Sequence, residues 1–304
     1  MRIAILGPGG VGGLLAGVLE RAGTPVVVVA RESTAELIRE RGLRVTSVTF
    51  GQFSAHPGAL ARVDGQLEVL IVATKAAGLR AALERVATQP RLVLPLLNGL
   101  DHIALLREHF PAASVLAGTI RVEADRPAPG EVVHTSPFLL IEMACEDPSA
   151  VENMRALAIT LTDAGVPART QQSEAQVMWS KLVRLNALAC TTSAYDKLLG
   201  EIRSTPALRA DLHGAIEEGC AVGRAEGARD VDPATAIAEL NEAHATLGSS
   251  MQRDIAAGRP PELDEIPGSV LRAAARHGVR CPTIERLTAM IAARAGIPAP
   301  LVPR

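Results

Sequence analysis

The chain has 304 residues, 48% of them hydrophobic and 21% charged, with a formal net charge of −2. That is enough for about two domains, or one large one, too apolar for a disordered chain, and without sequence-wide attraction to nucleic acid or an anionic membrane. Aromatic residues make up only 2%, which removes the stacking platforms of single-strand nucleic-acid binders and leaves Leu, Val, Ile and Ala to build the core. Arg2–Leu6 reads as a buried strand, Val11–Ala22 as a helix, Pro25–Ala30 as a second strand, and Ala35–Arg41 as a helix ended by Gly42. Leu67–Thr74 is a further strand followed by a helix through Ala87, and Arg91–Leu97 is the next strand. Strands that are apolar throughout and alternate with helices predict a parallel sheet covered on both faces.

Residues 114–142 hold two or three strand-like pieces separated by the turn-rich Asp125–Gly130. Ala150–Gly165 reads as a helix and Val166–Thr170 as a last short strand. Beyond Ser173 nearly everything reads as helix. In Pro206–Gly227 the residues Leu208, Leu212, Ala215, Ile216, Cys220 and Val222 fall near helical spacing, and Pro233–Leu247, Ser250–Ala257, Ile266–Gly278 and Pro282–Ala295 follow. The expected fold class is α/β, with a doubly wound parallel sheet over residues 1–172 and an all-helical domain over residues 173–304.

Cys145, Cys190, Cys220 and Cys281 form no CxxC pair and lie outside zinc-ligand spacing, so reduced thiols in a cytoplasmic protein and no metal site are expected. Ile3–Leu19 lacks charge, but its six glycines and one proline, and the lack of a basic segment beyond Arg2, argue against a secretory signal. No stretch reads as a membrane span of about 20 apolar residues. The closing Leu301-Val302-Pro303-Arg304 matches a protease-site remnant and is left out of the functional reading.

Gly7-Pro8-Gly9-Gly10-Val11-Gly12 fits G-x-G-x-x-G directly after an apolar strand and at the opening of a helix, the context a dinucleotide site requires. The first glycine permits the tight turn, the second lets a pyrophosphate approach the backbone, and the third lets helix and strand close up. The helix N-terminus then presents N–H groups to the phosphates. The alternative is a glycine-rich turn without a ligand. An NAD site usually carries an acidic residue at the end of the second strand. Here the residue is Arg31, which suits a 2′-phosphate and so favours NADP(H); the alternative is a solvated loop arginine. The chain has only three lysines, Lys75, Lys181 and Lys197; the bland reading is a GC-rich genome that writes arginine for lysine, and the alternative is that a lysine kept in such a chain sits where loss of a proton is useful.

Further pieces line up in order: Thr74-Lys75-Ala76 closing a strand, Asn98-Gly99 after the next, Trp179-Ser180-Lys181-Leu182 opening the helical half, then Ser249-Ser250-Met251-x-x-Asp254 and Glu262-Leu263-Asp264. With the glycine turn, this order resembles the ketopantoate reductase (2-dehydropantoate 2-reductase) family over roughly residues 1–295. The resemblance implies an N-terminal Rossmann domain, a helical C-terminal domain, an active cleft between them, and NADPH as hydride donor. It assigns Gly7, Pro8, Gly9, Gly10, Val11 and Gly12 to the pyrophosphate, Arg31 to the 2′-phosphate, and Lys75 and Ala124 to the cofactor. Asn98 would touch cofactor and substrate. Lys181 would be the catalytic lysine, Ser250 would bind the substrate carboxylate, and Glu262 would be an acid where cofactor and substrate meet.

The residue types suit the chemistry. Hydride attack on a 2-oxo carbon places negative charge on oxygen, which a positioned ammonium stabilises and then protonates. The alternatives are a solvent-reaching lysine at 181, an N-cap and a surface acid at Ser250 and Asp254, and a solvent-facing acid at Glu262. The chain departs from the family at Leu185, Ala189 and Leu199, where family members carry asparagines. Asn186 lies about 140° around a regular helix from Lys181, off the face that carries Leu185, Leu188 and Thr192, while Arg184 borders that face as a candidate carboxylate ligand.

The expected function is NADPH-dependent reduction of a 2-oxo acid, foremost ketopantoate in pantothenate biosynthesis, or a less polar 2-oxo acid. A 3-hydroxyacid dehydrogenase-like oxidoreductase and a non-catalytic NADP-sensing module are the alternatives. The expected partner is a small-molecule 2-oxo acid, with neither nucleic acid nor membrane. Oligomeric state is not readable, and a homodimer through the helical half is one arrangement the sequence admits.

Overall fold

A computed structural model describes residues 1–302; Pro303 and Arg304, the second half of the closing tail, lie outside the described residues. The chain runs β1 (Ile3–Leu6), α1 (Gly10–Arg21), β2 (Val26–Val29), α2 (Glu32–Arg41), β3 (Leu43–Ser47), β4 (Gly51–Ala55), β5 (Gly58–Leu60), β6 (Val69–Val72), α3 (Leu79–Leu83), β7 (Leu92–Pro95) and α4 (Asp101–His109). It continues through β8 (Ala117–Arg121), β9 (Ala124–Asp125), β10 (Glu131–His134), β11 (Leu140–Ala144), α5 (Val151–Asp163) and β12 (Ala168–Gln171). Helices follow: α6 (Glu174–Tyr195), α7 (Leu199–Ser204), α8 (Pro206–Ala225), α9 (Pro233–Glu242), α10 (Ser250–Ala256), α11 (Ser269–His277) and α12 (Pro282–Ala295). The chain divides into two compact units. One comprises Met1–Leu97 and His102–Glu174; the other comprises Asn98–Asp101 and the chain from Ala175 onward.

In the first unit β5-β2-β1-β6-β7 form one parallel sheet, the Rossmann-type arrangement. Alternation of side chains along β1 shows why its sequence is apolar without a break. Ile3 and Ile5 enter one core with Leu14, Leu15 and Val28, whereas Ala4 and Leu6 enter another with Val72, Leu79, Val93 and Leu106. A strand with both faces covered has no position for a polar residue. Two smaller sheets complete this unit, β4-β3-β10-β9 and β12-β11-β8. Helix α1 carries glycines on the face that meets the first of these: a Cβ would come within 2.6 Å of Val132 at Gly13 and within 2.9 Å of Val45 at Gly17.

Several elements differ from the sequence expectation. The helix expected through Ala87 is a 3₁₀ turn at Ala76–Gly78 followed by the short α3, because the Gly78 N–H bonds back to the Lys75 carbonyl and tightens the turn. Helix α9 stops at Glu242 rather than Leu247. The helix expected from Ile266 opens as a π-turn over Asp264–Gly268, where Pro267 has no N–H to give to a regular helical ladder. Strands β3, β4 and β5 and helix α4 fall in stretches where no element was expected. In the second unit the helices enclose a core centred on Trp179, Leu182, Leu212, Ile216, Ile266, Ile284 and Leu287. All four cysteines are buried free thiols. Among the described residues, no helix is long and apolar enough to cross a membrane.

One buried polar network ties the second sheet together. His134, 1% exposed, lies between Ser47 Oγ at 2.8 Å from Nδ1 and Ser136 Oγ at 3.2 Å from Nε2. Ser136 Oγ donates to the Phe138 carbonyl, so it accepts from His134 Nε2. Ser47 Oγ accepts from the Thr49 and Phe50 amides, so its own proton goes to Nδ1. That arrangement accommodates a neutral ring only. Burial accordingly holds the His134 imidazole below the ordinary histidine range, against the smaller opposing pull of the Phe138 carbonyl as a hydrogen-bond acceptor. A depressed histidine leaves the unfolded chain binding more protons, so its contribution to stability is complete above the unfolded value of about 6.5 and is lost as pH falls below it. The melting temperature is therefore expected to drop between pH 7.5 and pH 5.5, and to drop less in His134→Gln; equal drops in the two proteins would contradict the assignment.

Candidate active site

In the first unit, parallel register aligns the carboxyl ends of β1, β2 and β6, with Leu6 opposite both Val29 and Val72. The Gly7–Gly12 loop, Arg31 and Lys75 each follow one of these ends, so the expected cofactor residues gather along one sheet edge. Gly7 has φ +92°, and a Cβ there would lie 2.6 Å from Thr74 Cγ2. A Cβ at Gly10 would lie 2.3 Å from the Ala124 carbonyl oxygen, and one at Gly12 would lie 2.2 Å from the Gly7 carbonyl oxygen. Gly9 differs: the nearest atom to its Cβ would be the Ala73 carbonyl oxygen at 3.9 Å. Close contacts thus flank the N-cap Gly9, where a Cβ would be in ordinary van der Waals contact only, and the first-turn N–H groups of α1 have no carbonyl one turn back. A glycine-rich helix N-terminus of this kind fits a pyrophosphate.

Pro8 is buried and Val11 half-buried within the loop. Arg31 is exposed at the N-cap of α2, and Lys75 is exposed where the 3₁₀ turn begins. Thr74, against Gly7, belongs to the same cradle; the sequence reading used it as a motif residue without a role.

The second unit holds a connected trio. Lys181 Nζ donates to Asn98 Oδ1 at 2.9 Å, and Asn98 Nδ2 donates to Glu262 Oε2 at 3.0 Å. The sequence-predicted lysine, amide and acid, far apart in the chain, therefore form one hydrogen-bonded row. Lys181 is set on α6 by its neighbours Trp179, Leu182 and Val183, all buried in the helical core. Glu262 ends a Pro260-Pro261 segment whose approach is fixed by Arg259, which donates through Nε to the buried Asp254 at 2.8 Å. Asp254 is thus a structural ion-pair partner rather than a surface acid. Asn98 is held by its neighbour: Gly99 has φ +84°, and a Cβ there would lie 2.0 Å from the Glu265 carbonyl oxygen. Burial pushes Glu265 above the ordinary carboxylate range, helped by the nearby Glu262 and Asp264 carboxylates and opposed first by a hydrogen bond to its own backbone and then by Arg272.

Other expected positions fall elsewhere. Ser249, not Ser250, caps α10 by accepting from the Gln252 amide at 3.1 Å, and Ser250 is exposed on the first turn. Asn186 is fully buried and accepts from Cys190 Sγ at 3.5 Å. Arg184 pairs with Glu239 at 2.5 Å, so its charge already has a carboxylate partner within the protein. Ala189 and Leu199 are both 0% exposed in the helical core, and Leu185 lies half-buried against it.

Residues 3–143 match the family model described as Ketopantoate reductase PanE/ApbA, and residues 175–295 match its C-terminal counterpart. A 2-dehydropantoate 2-reductase of Mycobacterium tuberculosis is 31% identical over 302 residues, covering 96% of this chain and 97% of that one. A PanE/ApbA family ketopantoate reductase structure from Ralstonia eutropha superposes with TM-score 0.84 at 27% identity, covering 97% of this chain and 99% of that one. D-mandelate dehydrogenase bound to NADH and anilino(oxo)acetate superposes with TM-score 0.88 at 22% identity, with coverages of 97% and 99%; at that identity the likeness speaks for the fold.

The Gly99 geometry gives a direct test. Gly99→Ala meets both a strained φ and a backbone oxygen that cannot move aside. It is expected to destabilise the protein by about 2–4 kcal/mol in denaturant unfolding; a loss below about 0.5 kcal/mol would contradict the close approach.

Proposed function

Because this chain belongs to the ketopantoate reductase family, an oxidoreductase family, we propose that it reduces a 2-oxo acid to the 2-hydroxy acid with NADPH, ketopantoate being the first substrate to test. The observation that carries this reading is the Lys181–Asn98–Glu262 row. The glycine-rich N-terminus of α1 supports a dinucleotide pyrophosphate in the first unit, with Arg31 meeting a 2′-phosphate and Lys75 and Ala124 beside the cofactor. When bound, the nicotinamide supplies the hydride that reduces the carbonyl carbon.

The chain's own residues supply the rest. Lys181 presents its ammonium to the carbonyl oxygen, stabilises the charge that develops there, and passes it a proton from Nζ; solvent then reprotonates the amine. Asn98 accepts one ammonium hydrogen and so aims Nζ. Glu262 holds the Asn98 amide in that orientation, because a flipped amide would set NH₂ against the ammonium and oxygen against the carboxylate. Ser250 is the proposed ligand of the substrate carboxylate.

A panel of 2-oxo acids assayed by NADPH oxidation tests the reading. Lys181→Ala is expected to lower kcat by about 10²–10⁴-fold with NADPH affinity unchanged, and Lys181→Arg should not restore it, since arginine does not release its proton. Turnover that survives Lys181→Ala would refute the role given to the lysine. Cofactor choice has a separate test: Arg31→Ala should weaken NADPH binding about ten- to hundred-fold and NADH binding far less, and equal losses would defeat the NADP assignment.

A further inference from the structure

The segment carrying Asn98 and the segment carrying Glu262 are tied together at three successive places. Asn98 bonds Glu262 at 3.0 Å. Gly99 sits against the Glu265 carbonyl. Beyond these, Arg272, on α11, joins the two segments through one guanidinium: Nη2 and Nε donate to Asp101 Oδ2 at 2.6 and 3.2 Å, and Nη1 donates to Asp264 Oδ1 at 2.8 Å. Nη2 also reaches the Asp264 backbone carbonyl at 2.8 Å. Asp101 lies three residues after Asn98, and Asp264 two after Glu262. Room for the fork comes from Gly268, where a Cβ would lie 3.2 Å from both Arg272 Nη1 and Asp264 Oδ1.

From this geometry we propose that Arg272 is a positioning residue for the reaction: it clamps the 98–101 segment to the 262–265 segment and thereby keeps Asn98 in register to aim the Lys181 ammonium. The inference rests on the reductase reading given above. Arg272 touches none of the three reacting side chains in the hydrogen bonds described, so its effect passes through Asn98. A planar fork that serves two carboxylates and a carbonyl at once is beyond a lysine, whose ammonium is a single point of charge. Small displacements of a group that orients a proton donor are costly in rate even when binding is intact.

The test is a double-mutant cycle on the full chain with NADPH and the best 2-oxo acid of the panel. Arg272→Met is expected to lower kcat about ten-fold while the KM for NADPH stays within about two-fold, and Arg272→Lys should not restore kcat. In an Asn98→Ala background the same Arg272→Met change should cost less than about two-fold, because the residue through which it acts is gone. Amide hydrogen exchange of Arg272→Met should rise in the 98–101 segment and stay unchanged in α6. If Arg272→Met does not fold, Asp101→Ala removes one arm of the clamp and should give a kcat loss of about three-fold with the same dependence on Asn98. An equal proportional loss in both backgrounds, an unchanged kcat, or unchanged exchange at 98–101 would overturn the clamp. Absence of turnover by the unsubstituted protein would instead overturn the reductase reading, and the exchange measurement would still decide the clamp.

Discussion

A single primary amide sets the order of the proposed catalytic groups. Asn98 has one acceptor and one donor group to offer, and the structure uses the first for an ammonium and the second for a carboxylate. Only one orientation of the amide satisfies both neighbours, so its two bonds define a direction from Glu262 through Asn98 to Lys181. Most features of the second unit near this row act on the position of one of its members. The buried Trp179, Leu182 and Val183 fix the helix that carries Lys181. The Asp254–Arg259 pair fixes the approach to Glu262. Gly99 lets the chain after Asn98 lie against a backbone carbonyl. Side chains whose bonds are satisfied by rigid neighbours lose little freedom when a substrate arrives, which is what preorganisation requires.

The first unit solves a different problem with a different material. The pyrophosphate proposed for this unit would be met by backbone N–H groups, and four of the six positions from Gly7 to Gly12 are glycine. Three of the four glycines there are required by a separate neighbour: Gly7 by Thr74 and its own positive φ, Gly10 by the Ala124 carbonyl, and Gly12 by the Gly7 carbonyl. At Gly9 a Cβ would make only an ordinary van der Waals contact, with the Ala73 carbonyl oxygen. The usual division of labour between turn, ligand approach and close packing is therefore visible in which atoms would collide. Ala124, which we proposed to lie beside the cofactor, meets this loop through its backbone carbonyl.

Legibility from sequence follows how local the determining contact is. Strand β1 and the glycine loop are legible because each is specified within a few residues: a strand buried on both faces is apolar at every position, and the loop's spacing is a direct record of its turn. Strands β3 to β5 are not, because exposed positions interrupt their apolar pattern, and β3 pairs with β10, some ninety positions along the chain. The π-turn at Asp264–Gly268 was hidden because Pro267 lies within an otherwise helical pattern. Lys181, Asn98 and Glu262 could be picked out by type and order, but not their hydrogen-bonded row, which depends on the fold. Arg272 and Asp101 carried no signal at all: an arginine in a chain with 31 basic residues gives no sign of which carboxylates it will join.

The departures from the family pattern take on a physical meaning once burial is known. Ala189 and Leu199 are closed core positions, each without solvent exposure, where a buried asparagine amide would be costly unless hydrogen-bonded. The one buried amide on this stretch of α6, Asn186, already leaves its Nδ2 without a hydrogen bond. Apolar residues at 189 and 199 therefore stabilise the helical core, and Leu185 extends that apolar character toward the lysine by one turn. Ala189 and Leu199, closed off in the core, offer a substrate neither an amide nor hydrocarbon; of the three positions only Leu185 is partly exposed, so in the proposed reaction it alone sets hydrocarbon beside the lysine where the family pattern has an amide.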